Sequence, residues 1–263
     1  MNIWKKKDLI EIRKRYRQYF HFINDILNFI PKFIPEGELS VDRQNKIYYP
    51  SAILALFSKS YKTLRAIRLL CMKGLSSDAN ALLRPLSECL INMLYLSEGD
   101  KESKGLEYFQ FCQIQKGKIL NSFKNNARLS DMVTNDMEIE VKNQSNELRN
   151  KMGEIEFNRR YKASHWSGES IEAIAKKVGL DVMYDLTFRL SSQAIHATDY
   201  SDHMEYNKGF KINILPGDKW CREVLGASII IFILILKKIN EVFLLSQDEA
   251  IDSFEQQFEQ IIK

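Results

Sequence analysis

The sequence predicts an all-α fold, on three observations. Apolar residues recur at three- and four-residue steps over long stretches, the spacing of one face of a helix. Only five prolines and eleven glycines interrupt 263 residues, which favours long helices over many short strands. Runs such as Val224 to Leu236 are apolar on every face and suit a helix at the centre of a core. With 45% hydrophobic and 27% charged residues, the composition is that of an ordinary globular protein. The expected architecture is one helical domain over residues 1–263, a multi-helix bundle with at most a minor strand pair near 210–215. A chain of this length buries enough surface to need no disulfide or metal staple.

The first helix is predicted over Ile3 to Ile30, where Leu9, Ile12, Tyr16, Phe20, Ile23, Leu27 and Ile30 share a face. Pro31 and Pro35 should end it, and residues 31–50 read as an irregular connection closed by Pro50. A second helix runs to Lys73 and stops at Gly74. A third opens at Ser76-Ser77-Asp78 and continues to Ser97. It is apolar nearly all round, and Pro85 should kink it because proline cannot donate to the carbonyl of residue 81. A fourth spans Lys101 to Lys124. Residues 125–160, rich in Asn, Lys and Glu, form an exposed, mobile insertion holding one helix over Asp131 to Met152 with loops on either side. Shorter helices follow from Ser170 to Gly179 and from Leu180 to Ala197. After an irregular stretch, a long helix covers Lys219 to Leu245. The last opens with the capping box Ser246-Gln-Asp-Glu249.

The net charge is +4, from 38 basic and 34 acidic residues, too small to mark a nucleic-acid protein by charge alone. The excess is uneven. Lys5 to Lys7 with Arg13, Lys14, Arg15 and Arg17 form one cluster, and Arg149, Lys151, Arg159, Arg160 and Lys162 a second. Each reads as a phosphate contact or as a solvated face. The four cysteines lie far apart without a Cys-x-x-Cys pair and read as reduced core residues. Asp8, Glu11 and Arg13 stand where a signal peptide would be apolar, and Val224 to Leu236 is too short to span a bilayer. A cytoplasmic protein without a membrane span is expected. The phosphate-loop, dinucleotide and nucleophile-elbow glycine motifs are absent, so no cofactor is expected and P-loop or serine hydrolase chemistry is disfavoured.

Three constellations remain. On the third helix Arg84 and Glu88 stack one turn apart, with Asn80, Asn92 and Tyr95 near the same stripe. On so apolar a helix the pair should be desolvated, at a cost that points to function or to a packing role. On the helix from Leu180, Met183, Leu186, Leu190 and Ala194 make the apolar face. Asp185, Arg189, Ser192 and His196 fall within roughly 60° on the other side. Asp199, Asp202 and His203 follow, but their spacing matches no metal motif, and no metal is expected. The third is His165-Trp166-Ser167-Gly168-Glu169-Ser170, where Trp166 is either a substrate contact or a core anchor, and Ser170 can cap a helix.

Leu83-Arg84-Pro85-Leu86-Ser87-Glu88, Trp166-Ser167-Gly168 and Ser192-Gln-Ala-Ile-His196 together resemble an uncharacterised bacterial all-helical family of unknown function, over roughly residues 50–240. That likeness implies a fold and no activity. Arg189-x6-His196 is also similar to the Arg-x4–6-His motif of the higher-eukaryote-and-prokaryote nucleotide-binding (HEPN) family, although the residue after the arginine, usually polar there, is Leu190 here. The resemblance implies a dimeric, metal-independent endoribonuclease of a toxin–antitoxin or phage-defence system, with RNA as substrate and an antitoxin or defence protein as partner. Arg189 and His196 would be its catalytic pair, with Arg84 as a second cation and Glu88 and Asp185 orienting the arginines. Ser192 and Trp166 would contact substrate. The alternative is a non-enzymatic helical module that binds a partner protein or small ligand.

Overall fold

Helix boundaries follow the breakers and caps of the sequence, with four instructive departures. The computed structural model describes residues 6–34, 47–189, 191, 195, 204–205, 211–212 and 216–263. Its helices are α1 (Lys6–Arg15), α2 (Arg17–Phe33), α3 (Tyr48–Met72), α4 (Ser76–Ala81), α5 (Leu83–Leu96), α6 (Lys101–Lys124), α7 (Asn135–Met152), α8 (Glu154–Lys162), α9 (Ile171–Lys177), α10 (Asp181–Tyr184), α11 (Cys221–Phe243) and α12 (Asp248–Ile262). A π-helical turn, Asp185–Arg189, continues α10. A strand pair is present as β1 (Met204–Glu205) and β2 (Lys211–Ile212), antiparallel with Met204 opposite Ile212, and only its second strand falls within the 210–215 expected. The fold class is all-α, with helix packed on helix.

The predicted first helix is two, broken at Tyr16, and Pro31 lies inside α2. One missing donor is tolerated so near the end, because the Ile34 amide still reaches the Ile30 carbonyl at 2.8 Å. The third helix breaks at Leu82, as the missing Pro85 donor to residue 81 requires. Residues 125–162 hold two helices where one was expected. Gly153, at φ +81°, separates them, and α8 carries Glu154 and Glu156 in its first turn and Arg159, Arg160 and Lys162 in its last, the polarity that a helix dipole favours. The capping box does not form. Ser246 sits at φ +54°, α12 begins at Asp248, and Asn240 ties its start by accepting from the Gln247 amide at 2.9 Å and donating to Asp248 at 2.8 Å.

The chain divides into two compact units: Met1–Ser40, Ile53–Tyr95 and Ala175–Lys263 in the first, Val41–Ala52 and Leu96–Ile174 in the second. In the first, α11 is the central helix. Val224, Leu225, Ile229, Ile231, Phe232, Ile235 and Leu236 are all buried, and only Ile230, 46% exposed, breaks the apolar run predicted on every face. Phe232 packs against Phe57 of α3, and α12 lays Phe254 and Phe258 on Phe22 of α2. Cys71, Cys89 and Cys221 are buried thiols, whereas Cys112 is exposed. Its neighbours in sequence are aromatic, but it lies on the outer side of α6. Among the described residues no helix is long and apolar enough to cross a membrane.

The second unit has its own small core of Ile114, Leu148 and Phe157, flanked by Met152 and Tyr161. Glu102 of α6 accepts from the first amides of α3, Tyr48 at 2.8 Å and Tyr49 at 3.1 Å, satisfying donors that have no partner within their own helix. That approach requires Gly105. A Cβ there would lie 2.4 Å from the Tyr49 nitrogen.

Candidate functional site

Arg84 and Glu88 occupy the first half of α5, and both are half-buried. The expected desolvated ion pair does not form: among the described residues no ion pair joins them. Helical side chains lean toward the N-terminus, so an arginine four residues before a glutamate points away from it, the less favourable order for such a pair. Arg84 turns instead to an aromatic partner, its guanidinium 5.0 Å from the ring centre of Phe188. Phe188 is buried and stacks on Tyr184, with centroids 4.5 Å apart and planes 23° from parallel. Next to this contact the Ser191 hydroxyl meets the Asn80 side-chain oxygen at 3.5 Å. Asn80 and Arg84 therefore lie against Ser191 and Phe188.

The segment that carries Phe188 is wound more widely than an α-helix. The Thr187 hydroxyl donates to the Met183 carbonyl at 2.7 Å, the acceptor that the Thr187 amide would use in an α-helix, and such back-bonding loosens the ladder. The wider turn shifts the buried face. Leu186, predicted to be apolar-facing, is 58% exposed, while Thr187 and Phe188 are buried. Asp185 and Arg189 do face solvent, joined by an ion pair of 2.5 Å. So exposed a pair adds little stability. Leu190, Ser192 and His196 lie outside the described residues, as do Asp199, Asp202 and His203.

Trp166 belongs to the second unit, where its indole is buried and meets Tyr108 edge-on at 5.9 Å. Of the two readings for this tryptophan, burial matches the core anchor. His165 beside it is also buried. Its Nδ1 shares a hydrogen bond with the Ser167 hydroxyl at 2.9 Å, and burial lowers its pKa to about 4, partly opposed by Glu169. Ser170 caps α9, accepting from the Ala173 amide at 3.1 Å.

Arg149, Lys151, Arg159 and Arg160 of the basic cluster at 149–162 are paired with carboxylates. Arg160 reaches Glu156 at 2.6 Å and Glu107 at 3.4 Å, Arg149 reaches Glu154 at 3.2 Å, and Lys151 reaches Glu147 at 2.6 Å. Hydrogen bonds from Arg159 and Arg160 hold the Glu156 carboxyl down at about 2. The solvated face is the reading that fits these residues. At the N-terminal cluster, Arg15 pairs with Asp218, which also accepts from the Tyr16 hydroxyl at 3.2 Å.

Sequence reasoning overlooked Tyr184 and Phe188. The signal was there as an aromatic pair four residues apart beside a threonine able to back-bond, but a regular 100° rotation hid it by assigning that side to solvent.

Residues 51–210, more than half of the chain, match the model of a family described as a family of unknown function (DUF5677), and the chain belongs to that family. Arg84, Glu88, Trp166, Asp185, Arg189, Ser192 and His196 all fall within the matched span. No match was found among curated proteins or among solved structures.

Proposed function

We propose that this member of the DUF5677 family is a metal-independent endoribonuclease whose catalytic pair is Arg189 and His196. The observation that carries the reading is the contact of Arg84 with Phe188, which sets a second cation beside the turn that ends in Arg189. RNA supplies its own nucleophile. His196 takes the proton of a 2′-hydroxyl, a task suited to an imidazole. The 2′-oxygen then bonds to the adjacent phosphorus as the bond to the 5′-oxygen breaks, leaving a 2′,3′-cyclic phosphate and a 5′-hydroxyl that regains a proton. Arg189 holds the phosphate oxygens through two parallel donors, kept ready by Asp185. Arg84 adds positive charge, and Glu88, one turn along α5, is a positioning carboxylate. A toxin or defence role in the cytoplasm, acting as a dimer, is the setting that the HEPN resemblance supports.

One observation favours a second reading, a helical module that binds another protein. Val182, Leu186 and Ile195, on the same segment, are 67%, 58% and 42% exposed, and clustered exposed apolar side chains mark interaction surfaces. Incubation of the purified protein with total RNA decides between them. Cleavage by the parent, lost in His196→Ala and in Glu88→Gln with unchanged melting temperatures, supports the ribonuclease. Intact RNA in every lane returns the chain to the module reading.

A further inference from the structure

We infer that Tyr184 is the platform on which a base of single-stranded RNA stacks, with Arg189 holding the phosphate beside it. This rests on the ribonuclease reading and names how that site grips its substrate.

Two side chains meet the ring of Phe188. Phe188 has two faces. Tyr184 lies nearly parallel on one at 4.5 Å, and the guanidinium of Arg84 lies 5.0 Å from the centre of the same ring. Phe188 is buried and cannot present a face to a ligand. Tyr184 is half-buried with one face on Phe188, and the other is the face we assign to a base. Every base has a π-face that such a platform accepts without regard to sequence.

The π-helical turn brings a phosphate contact to the same side. Five residues separate Tyr184 from Arg189. In an α-helix that spacing sets two side chains about 140° apart, at 100° per residue. Through a turn wound at roughly 80° per residue, the difference falls to about 40°. Arg189, which would otherwise face away, comes round toward Tyr184. Its guanidinium is largely exposed and tethered by Asp185. An aromatic face beside an exposed arginine is the pairing that single-stranded nucleic acid requires, one for base and one for backbone. Bases within a duplex are stacked on each other already, so the platform selects unpaired RNA.

The test uses the full chain and a fluorescent, 2′-O-methylated single-stranded RNA, which lacks the nucleophile and survives the measurement. Anisotropy should show binding that Tyr184→Leu weakens by roughly fivefold to a hundredfold, the range for loss of one aromatic stack. Tyr184→Phe and Tyr184→Trp should restore it, since the ring and not the hydroxyl is used. Should Tyr184→Leu melt early, a 2-aminopurine base in the same RNA gives a second readout on the parent: its emission should fall on binding. Binding that leaves 2-aminopurine unquenched, or that Tyr184→Leu leaves intact while Arg189→Ala removes it, overturns the platform and spares the ribonuclease. No RNA binding by the parent overturns both.

Discussion

Helix α11 in the first unit and helices α7 and α8 in the second reach order by opposite means. α11 is apolar on almost every side, and its place is set by the area it removes from water. Over α7 and α8 only Leu148 and Phe157 are buried, and the surfaces around them are laced with ion pairs between Arg149, Lys151, Arg159 or Arg160 and nearby glutamates. The packing of the apolar side chains of α11 depends little on salt or pH. The second draws on groups that titrate and on pairs that are individually weak. Comparing them teaches that a polar stretch does not fail to fold for want of apolar surface: two buried side chains and a capped, correctly polarised helix suffice when another helix lends them Ile114.

The sharpest way to break the contrast is to place a charge in α11. Ile231→Asp buries an unpaired carboxylate and should cost on the order of 4 kcal/mol, lowering the melting temperature by roughly 8 to 16 °C. A variant as heat-resistant as the parent would remove α11 from the centre of the core. Next in size is Phe157→Ala, which empties the small core and ends the contact of Arg149 with the Phe157 ring at 4.4 Å. A loss of about 3 kcal/mol is expected, and hydrogen exchange should speed up in residues 96–174 while residues 53–95 keep their protection. Equal loss in both would mean that the two units open as one.

A smaller effect separates the units by pH. His165 is held neutral by burial, its value lowered to about 4 against about 6.5 in the unfolded chain. The unfolded state therefore binds the proton first, so this contribution is whole above pH 6.5 and is lost as the pH falls from 6.5 to 4. Between pH 7.5 and 5.5 the parent should lose roughly 1 kcal/mol that His165→Gln does not lose. Parallel melting curves for the two proteins across that window would contradict the assignment. The smallest effect is Lys151→Ala. Its bond to Glu147 is exposed at both ends, and removing it should leave the midpoint of a urea titration unchanged.

Most of the helical order was legible because it depends on local chemistry. Pro85 broke its helix at the carbonyl it could not serve, Gly74 and Gly179 ended theirs, and the limits of α6 coincide with those predicted. What local rules missed was decided elsewhere in the chain. Ser246 lost the start of α12 to Asn240, which sits on the preceding helix. Pro31 did not stop α2, because a helix already packed through Phe22 and Ile26 continues past one missing bond. At the candidate site, the solvent side of Asp185 and Arg189 could be read from helical spacing. The direction of Arg84 could not, since no periodicity says that a half-buried guanidinium will choose a ring on another segment over a carboxylate four residues away.

Position 105 turns the close approach of α6 to the start of α3 into something a selection experiment can count. A Cβ added there meets backbone, at 2.4 Å from Tyr49 and 2.5 Å from Tyr48, and backbone cannot step aside as a flexible side chain does. Alanine would ordinarily improve a helix interior by about 1 kcal/mol; here it should be purged. In a randomised library of α6, glycine at 105 would mark the survivors while exposed positions such as Gln113 and Lys116 drift. The codon for residue 105 thus works as a barcode for the closed second unit, readable by sequencing alone.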